Sequence, residues 1–265
     1  SFNAKEKSNL LKCFDSGFIS SIGSNVEKFE NEIKKYTKAK FCVACINGTS
    51  ALHVSLKVIG VEKNHEVIAP TMSFVATVNS ILYIGASPIF MDCDKYLNID
   101  VSKTINFIKK NTFTVKNKTF NKKTKKRISA VVVAHMYGNL CNFTKLKKIC
   151  LSKGIKIVED AAETIGSFFL NGTHSGLKSD IGIYSFNGNK IVTSGGGGAI
   201  VSKNKKFIDK ARKLINQSKI NSIEYEHDEI GFNYRISNLH ASVGIMQMKK
   251  IKKYISIKKK IYNFY

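Results

Sequence analysis

Lys190 stands in Tyr184-Ser185-Phe186-Asn187-Gly188-Asn189-Lys190-Ile191-Val192-Thr193-Ser194, just ahead of four consecutive glycines, Gly195 to Gly198. The chain is rich in lysine, but this one has no charged neighbour within several residues. A lone amine flanked by Ser185, Asn187 and Asn189 can be desolvated and tuned toward a reactive pKa. The glycines permit left-handed backbone and close approach of a ligand or a second strand. A surface lysine before a flexible turn is the bland reading, and this stretch alone does not separate the two. Asn47-Gly48-Thr49-Ser50 closes a strand-like run at 41–46 and opens a helix at 51–59. Free N–H groups and the helix dipole then face an anion, although Ser and Thr also serve as plain caps. Phe74 follows Pro70-Thr71-Met72-Ser73 at another such junction, where its ring can cover a planar ligand or pack in a core. His135 follows a strand-like run at 128–134, and Asp160 one at 155–158.

The elements that must hold these residues alternate. Strands are expected at 41–46, 66–69, 87–92, 128–134, 155–158, 180–186 and 199–202, with helices between most of them. Helical periodicity runs over 5–16, 26–37, 75–84, 101–110, 143–153 and 204–216, and a long helix is expected from Ser237. Residues 112–127 are polar and basic and read as an exposed hairpin or loop, and 217–230 as a polar loop. Such alternation predicts an α/β fold with a mixed, mostly parallel seven-stranded sheet covered by helices. Ligands of open α/β sheets sit at the carboxyl ends of strands, where Thr49, Phe74, His135, Asp160 and Lys190 all fall.

The formal net charge is +24, from 43 Lys and Arg against 19 Asp and Glu. The basic residues gather at 116–127 and 249–260, without the aromatic interleaving of a single-strand binder. Solvated surface lysines in a Lys/Asn/Ile-rich composition are the favoured reading, so neither nucleic acid nor membrane is expected as a partner. Such a field would also favour a phosphate-bearing substrate. No apolar run approaches membrane-spanning length, and no signal peptide pattern is present. The six cysteines lack metal-ligand spacing, and Cys42-Val43-Ala44-Cys45 reads as strand core. Asp92-Cys93-Asp94 has no third ligand near it and reads as a turn, so no metal is expected. Free thiols fit a cytoplasmic protein.

A strand-end lysine, a strand-end aspartate and an anion cradle together meet the needs of pyridoxal 5'-phosphate. Lysine condenses with its aldehyde, aspartate holds a proton on its ring nitrogen, and a helix N-terminus takes its phosphate. The pieces Asn47-Gly48-Thr49-Ser50-Ala51-Leu52-His53, Glu66 to Thr77, Glu159-Asp160-Ala161-Ala162-Glu163, Ser185 to Lys190 and Gly231-Phe232-Asn233-Tyr234-Arg235 occur in order. In these the chain resembles the DegT/DnrJ/EryC1/StrS family of nucleotide-sugar aminotransferases, over nearly its whole length. The resemblance implies the large domain of the type I aminotransferase fold, working as a homodimer with shared active sites. It implies Lys190 as the catalytic lysine, Asp160 as partner of the ring nitrogen and Phe74 as the stacked aromatic. Gly48, Thr49 and Ser185 resemble phosphate ligands, and Asn233 the asparagine that reaches the phosphate from the neighbouring subunit. Glu163 departs from the glutamine of many members. It resembles a subgroup acting on UDP-linked 4-keto-6-deoxy-N-acetylhexosamines, as do residues 18–23 and 94–100 and the basic insertion near 121–124.

The implied reaction moves an amino group from an amino acid, glutamate first, to a nucleotide-linked 4-keto-6-deoxy sugar, for cell-surface polysaccharide or glycan synthesis. Lys190 argues against the dehydratase branch, which carries histidine there. A 3-keto sugar transaminase and, outside enzymes, a basic nucleic-acid-binding protein remain alternatives. The chain begins at Ser1 and ends at Tyr265 within a helix-like run. A fragment is therefore expected: 1–236 as the cofactor-binding large domain and 237–265 as the start of a helix into a C-terminal small domain. That missing domain would be on the order of a hundred residues.

Overall fold

Strand side chains alternate between two faces, so a central sheet needs a core on each side. The structure, a computed structural model, describes residues 3–220 and 225–265, so residues 221–224 of the polar 217–230 stretch lie outside the described part. Its strands are β1 (Phe41–Cys45), β2 (Glu66–Pro70), β3 (Ser87–Met91), β4 (Thr112–Val115), β5 (Lys118–Asn121), β6 (Arg127–Ala134), β7 (Lys156–Asp160), β8 (Ile181–Ser185) and β9 (Gly198–Ser202). The helices are α1 (Ala4–Asp15), α2 (Ser24–Thr37), α3 (Gly48–Val58), α4 (Val75–Leu82), α5 (Val101–Asn111), α6 (Thr144–Ser152), α7 (Lys205–Ile215), α8 (Asn238–Lys249) and α9 (Ile251–Phe264).

The seven expected strands form one path, in the order β1-β9-β8-β7-β6-β2-β3. From β8 to β3 the pairs are parallel, while β9 is antiparallel to both β8 and β1. Only β9 of this path is therefore reversed, and the carboxyl ends of β1, β2, β6, β7 and β8 share one sheet edge. Val43, Val67, Ala130, Val132, Val158, Ile183 and Ile200 face a core shared with Leu52, Val54 and Leu56 of α3 and Ile208 and Leu214 of α7. Cys42, Ala44, Tyr184, Ala199 and Val201 point the other way, onto Phe29 and Ile33 of α2 and Ile245 and Met248 of α8. Ile68, Val131, Val133 and Ile157 complete that second face with Ile108 of α5 and Leu146 of α6.

Two expectations need correction. Among the described residues the sheet has nine strands, because the hairpin β4–β5 joins it antiparallel to β6. The hairpin is not fully exposed: the Thr119 hydroxyl donates to the Lys153 carbonyl at 2.6 Å, and the Asn121 amide to Glu66 at 2.9 Å. Those short polar side chains, hidden in a basic stretch, carry no hydrophobic signal. The long helix from Ser237 is two helices. Lys250 leaves helical geometry (φ −102°, ψ 0°), and its amine reaches buried Glu6 of α1 at 2.5 Å.

Glu30 ties three elements together. Its carboxylate accepts from the Ala44 amide at 2.9 Å and from both terminal nitrogens of Arg212, at 3.1 and 2.8 Å. Arg212 also donates to the Cys42 carbonyl at 3.0 Å, so α2, β1 and α7 meet on one bidentate pair. Glu30→Ala leaves an amide and a guanidinium without their acceptor and is expected to cost about 2–4 kcal/mol in urea unfolding. Glu30→Gln keeps one acceptor and should lose less. A cost below about 0.5 kcal/mol for the alanine variant would remove this clamp from the account.

Candidate active site

The connection from β8 to β9 starts and ends at the shared edge, so residues 186–197 stand directly on it. Gly198 pairs with Ser185 of β8 and with Cys45 of β1. The loop is tied to itself: Phe186 N–H donates to the Gly197 carbonyl at 2.8 Å, and Ser194 N–H to the Phe186 carbonyl at 3.0 Å. Lys190 N–H closes a turn onto the Asn187 carbonyl at 3.0 Å. The expected use of the glycines is met in two ways. Gly195 and Gly197 have φ of +82° and +140°, and a Cβ on Gly198 would stand 2.4 Å from the Asn47 carbonyl oxygen. Absence of side chains there seats the lysine loop against the start of α3.

Asn47 caps α3: its side chain accepts from Ser50 N–H at 2.7 Å, and its carbonyl from Ala51 N–H at 3.1 Å. Helix geometry leaves the N–H groups of Gly48 and Thr49 without intrahelical acceptors. A Cβ on Gly48 would lie 2.9 Å from the Ser185 Cβ, so glycine lets β8 and α3 meet and brings the serine hydroxyl beside those amides. This close pairing is the physical reason for Gly48.

β7 ends in two buried carboxylates on opposite faces. Glu159 is fully buried and accepts from His135 Nε2 at 2.8 Å, Gly176 N–H at 2.7 Å and Lys178 N–H at 3.0 Å. Nδ1 of His135 accepts from Cys141 N–H at 3.2 Å, so Nε2 carries the proton. Burial alone would raise the Glu159 carboxyl, but the His135 hydrogen bond and the two amides outweigh it and hold the group below its ordinary value. Asp160 accepts from the Thr77 hydroxyl at 2.8 Å and from Ala162 N–H at 3.1 Å. Burial pushes its carboxyl above the ordinary aspartate value, and these neutral donors offset that only in part. Asp160 pairs with no cation among the described residues.

Lys190 Nζ donates to Glu163 Oε1 at 3.3 Å, and Tyr137 N–H to Glu163 Oε2 at 2.8 Å. Tyr137 sits in left-handed geometry (φ 54°, ψ 24°), which turns its amide toward that carboxylate. Phe74 holds the position before α4 and is 72% exposed. A cavity of about 370 Å³ is lined by Gly48, Thr49, Phe74, Ala162, Asp160, Glu163, Ser185 and Lys190, with His135 at its wall. Seven of the eight candidate residues thus converge. Asn233 does not line this cavity. It is exposed between Phe232 and Tyr234, whose rings stack at 5.0 Å and pack on His53, so its own side chain points away from them. Thr77 escaped sequence reading, although its place one turn after Phe74 was a usable signal. The His135–Glu159 bond and the Glu163–Lys190 pair span 24 and 27 residues, a separation that no local pattern reveals. Among the described residues no cluster suits a metal, and no helix is long and apolar enough to cross a membrane.

A group whose folded pKa is raised costs stability once ionised. For Asp160 the cost is absent below about pH 4, where an ordinary aspartate begins to ionise, and complete above its raised folded value. Asp160→Asn keeps shape, an acceptor for Ala162 N–H and a donor for the Thr77 oxygen. In ligand-free protein its thermal midpoint is expected to match or exceed that of the unaltered chain at pH 7, with the gap closing toward pH 4. A lower midpoint at pH 7 would show that Asp160 is adequately compensated without a ligand.

The family model for DegT/DnrJ/EryC1/StrS aminotransferases matches residues 1–265. The GDP-perosamine synthase of Vibrio cholerae is 37% identical over 266 residues, covering 100% of this chain and 68% of that protein. The UDP-4-amino-4,6-dideoxy-N-acetyl-beta-L-altrosamine transaminase of Campylobacter jejuni serotype O:23/36 is 30% identical over 245 residues, 92% of this chain and 61% of that protein. A solved DegT DnrJ EryC1 StrS aminotransferase from Brucella abortus superposes with a TM-score of 0.86 at 25% identity, over 94% of this chain and 64% of that one. The chain spans roughly two thirds of the length of these relatives, from 61% to 68%. With every residue matched and the fold shared, this chain belongs to the DegT/DnrJ/EryC1/StrS aminotransferase family.

Proposed function

We propose that this chain carries the cofactor site of a pyridoxal 5'-phosphate-dependent aminotransferase that moves an amino group from an amino acid, glutamate first, to the keto group of a nucleotide-linked 4-keto-6-deoxy sugar. The observation that carries the reading is Asp160: a buried carboxylate, short of positive charge, in one cavity with a lysine amine and a helix N-terminus. Bound there, the cofactor supplies a carbonyl that takes up amines and a protonated ring that withdraws electrons.

The residues present fit such a group. Asp160, oriented by Thr77 and Ala162 N–H, would hold the ring N–H. Phe74 and Ala162 offer apolar surface for the ring. The Gly48 and Thr49 amides and the Ser185 hydroxyl would bind the phosphate, in a cradle that a Cβ at position 48 would fill. Lys190 supplies the amine that anchors the cofactor and, once free, carries a proton to and from the substrate carbon at Nζ. Glu163, fixed by the Tyr137 amide, accepts from Nζ and holds the lysine over the cavity. Asn233, exposed and outside its own cavity, would complete the phosphate site of a second copy in a homodimer. The higher identity to a GDP-perosamine synthase supports testing GDP-linked keto sugars before UDP-linked ones. Six free cysteines, five of them buried, support placing the protein in the reducing cytoplasm. α9 would continue into the small domain that the relatives' length implies.

Purified protein with the cofactor should absorb in the visible and change colour when glutamate is added. Lys190→Ala should abolish both the covalent absorbance and turnover, by at least about a thousandfold in rate. A variant that keeps the absorbance would overturn the assignment of Lys190. Glu163→Gln should lower turnover by about tenfold or more, since glutamine can accept from only one of the two donors, Nζ and the Tyr137 N–H, and turns its NH₂ on the other. An unchanged spectrum and rate would show that the negative charge has no part.

A further inference from the structure

A second cavity, of about 580 Å³, opens on the other side of the Lys190–Glu163 pair. It shares Ala162, Glu163, Asn189 and Lys190 with the first, so the two join at the reacting amine. Its far wall is α9, which presents Ile255, Lys258, Lys259 and Tyr262. The spacing i, i+3, i+4, i+7 puts these four on one helix face. That face has a fixed seat. Ile255 Cδ1 would lie 2.8 Å from a Cβ on Gly166, so glycine admits the isoleucine, and Ile251 is buried one turn earlier. Lys250 locks the start of α9 to Glu6 of α1. Glu163, the carboxylate of the cavity, is already engaged by Lys190 and the Tyr137 amide. Lys258 and Lys259 pair with no carboxylate among the described residues.

Resting on the aminotransferase reading above, we infer that Lys258 and Lys259 form the subsite for the diphosphate of the nucleotide-sugar substrate, across the cavity from Lys190. The volume exceeds what an amino acid needs and suits a hexose with its diphosphate. The carboxylate of an amino-acid donor lies one bond from its reacting carbon, whereas the diphosphate lies across the sugar ring from a 4-keto group. Two ammonium groups that line the same cavity from a different element than Lys190 match the second geometry. They give the basic run at 249–260 a local task, beyond the overall charge of +24.

The test is calorimetric titration of the full chain, loaded with cofactor, with GDP and UDP, and separately with glutamate. Lys258→Gln/Lys259→Gln should weaken nucleoside diphosphate binding by at least about tenfold, and Lys258→Arg/Lys259→Arg should keep it within about threefold. Lys116→Gln/Lys123→Gln removes the same charge from exposed positions before and after β5 and should leave binding unaltered. Equal loss in that control variant, unchanged binding in the Lys258/Lys259 glutamine pair, or a loss confined to glutamate would overturn the inference. So would an unaltered protein that changes colour with glutamate yet binds neither nucleotide. Failure to respond to glutamate would instead sink the aminotransferase reading, while lysine-dependent nucleotide binding could still be measured.

Discussion

The candidate site depends on a buried carboxylate that the protein does not neutralise by itself. Glu159 and Asp160 are adjacent in sequence and both buried, yet their surroundings shift them in opposite directions. Glu159 has three donors and lies below its ordinary value; Asp160 has two neutral ones and lies above. A strand accounts for the difference. Successive side chains leave it on opposite faces, so Glu159 meets His135 and the 176–178 turn while Asp160 meets α4 and the cavity. One carboxylate is committed to structure, and the other is left with charge to share with a ligand. Burial of this kind is tolerated in a folded chain only when a partner arrives or the group gives up its charge.

Around that carboxylate the backbone is arranged by the absence of side chains. Gly48 lets Ser185 close on α3, and Gly198 lets the end of the lysine loop close on Asn47. Each glycine costs conformational entropy on folding, about 0.5–1 kcal/mol relative to alanine within an element. The contacts offset this by converging two amides, a hydroxyl and an amine on one rim. Because β9 alone runs backward in the seven-strand path, its connection from β8 begins and ends at the edge where the other strands finish. The lysine therefore stands beside the helix N-terminus as a consequence of topology.

Much of this was legible in the sequence, for physical reasons. Buried parallel strands such as 128–134 and 155–158 appear as short apolar runs, and polar residues just after them mark the ligand edge. Thr49, Phe74, Asp160 and Lys190 were found that way. What stayed hidden was either polar burial or long-range pairing. Thr119 and Asn121 look like loop residues until their carbonyl and carboxylate partners are known. The break at Lys250 coincides with its bond to Glu6, which lies 244 residues away. Lys190 has no charged neighbour in sequence but acquires Glu163 in space, so its isolation was a feature of the chain and not of the fold.

The same pair explains why an acid suits position 163. Its two oxygens face two donors, the Tyr137 amide and the Lys190 amine. Glutamine can accept from one of them only, and its NH₂ would face the other donor. The amide is available because Tyr137 is held left-handed, at a cost on the order of 1–2 kcal/mol for a non-glycine residue. Gly138 follows with φ +89°, so the strain is confined to one side chain. A turn that stores strain to aim a single N–H makes sense only if its acceptor must be held in place. That acceptor lines both cavities, one of which also holds Asp160 and the other Lys258 and Lys259 of α9. On the proposed reading, Glu163 would keep the Lys190 amine at the boundary between a site suited to a ring cation and one suited to an anion. A substrate drawn in by its anionic end would then meet the amine between them.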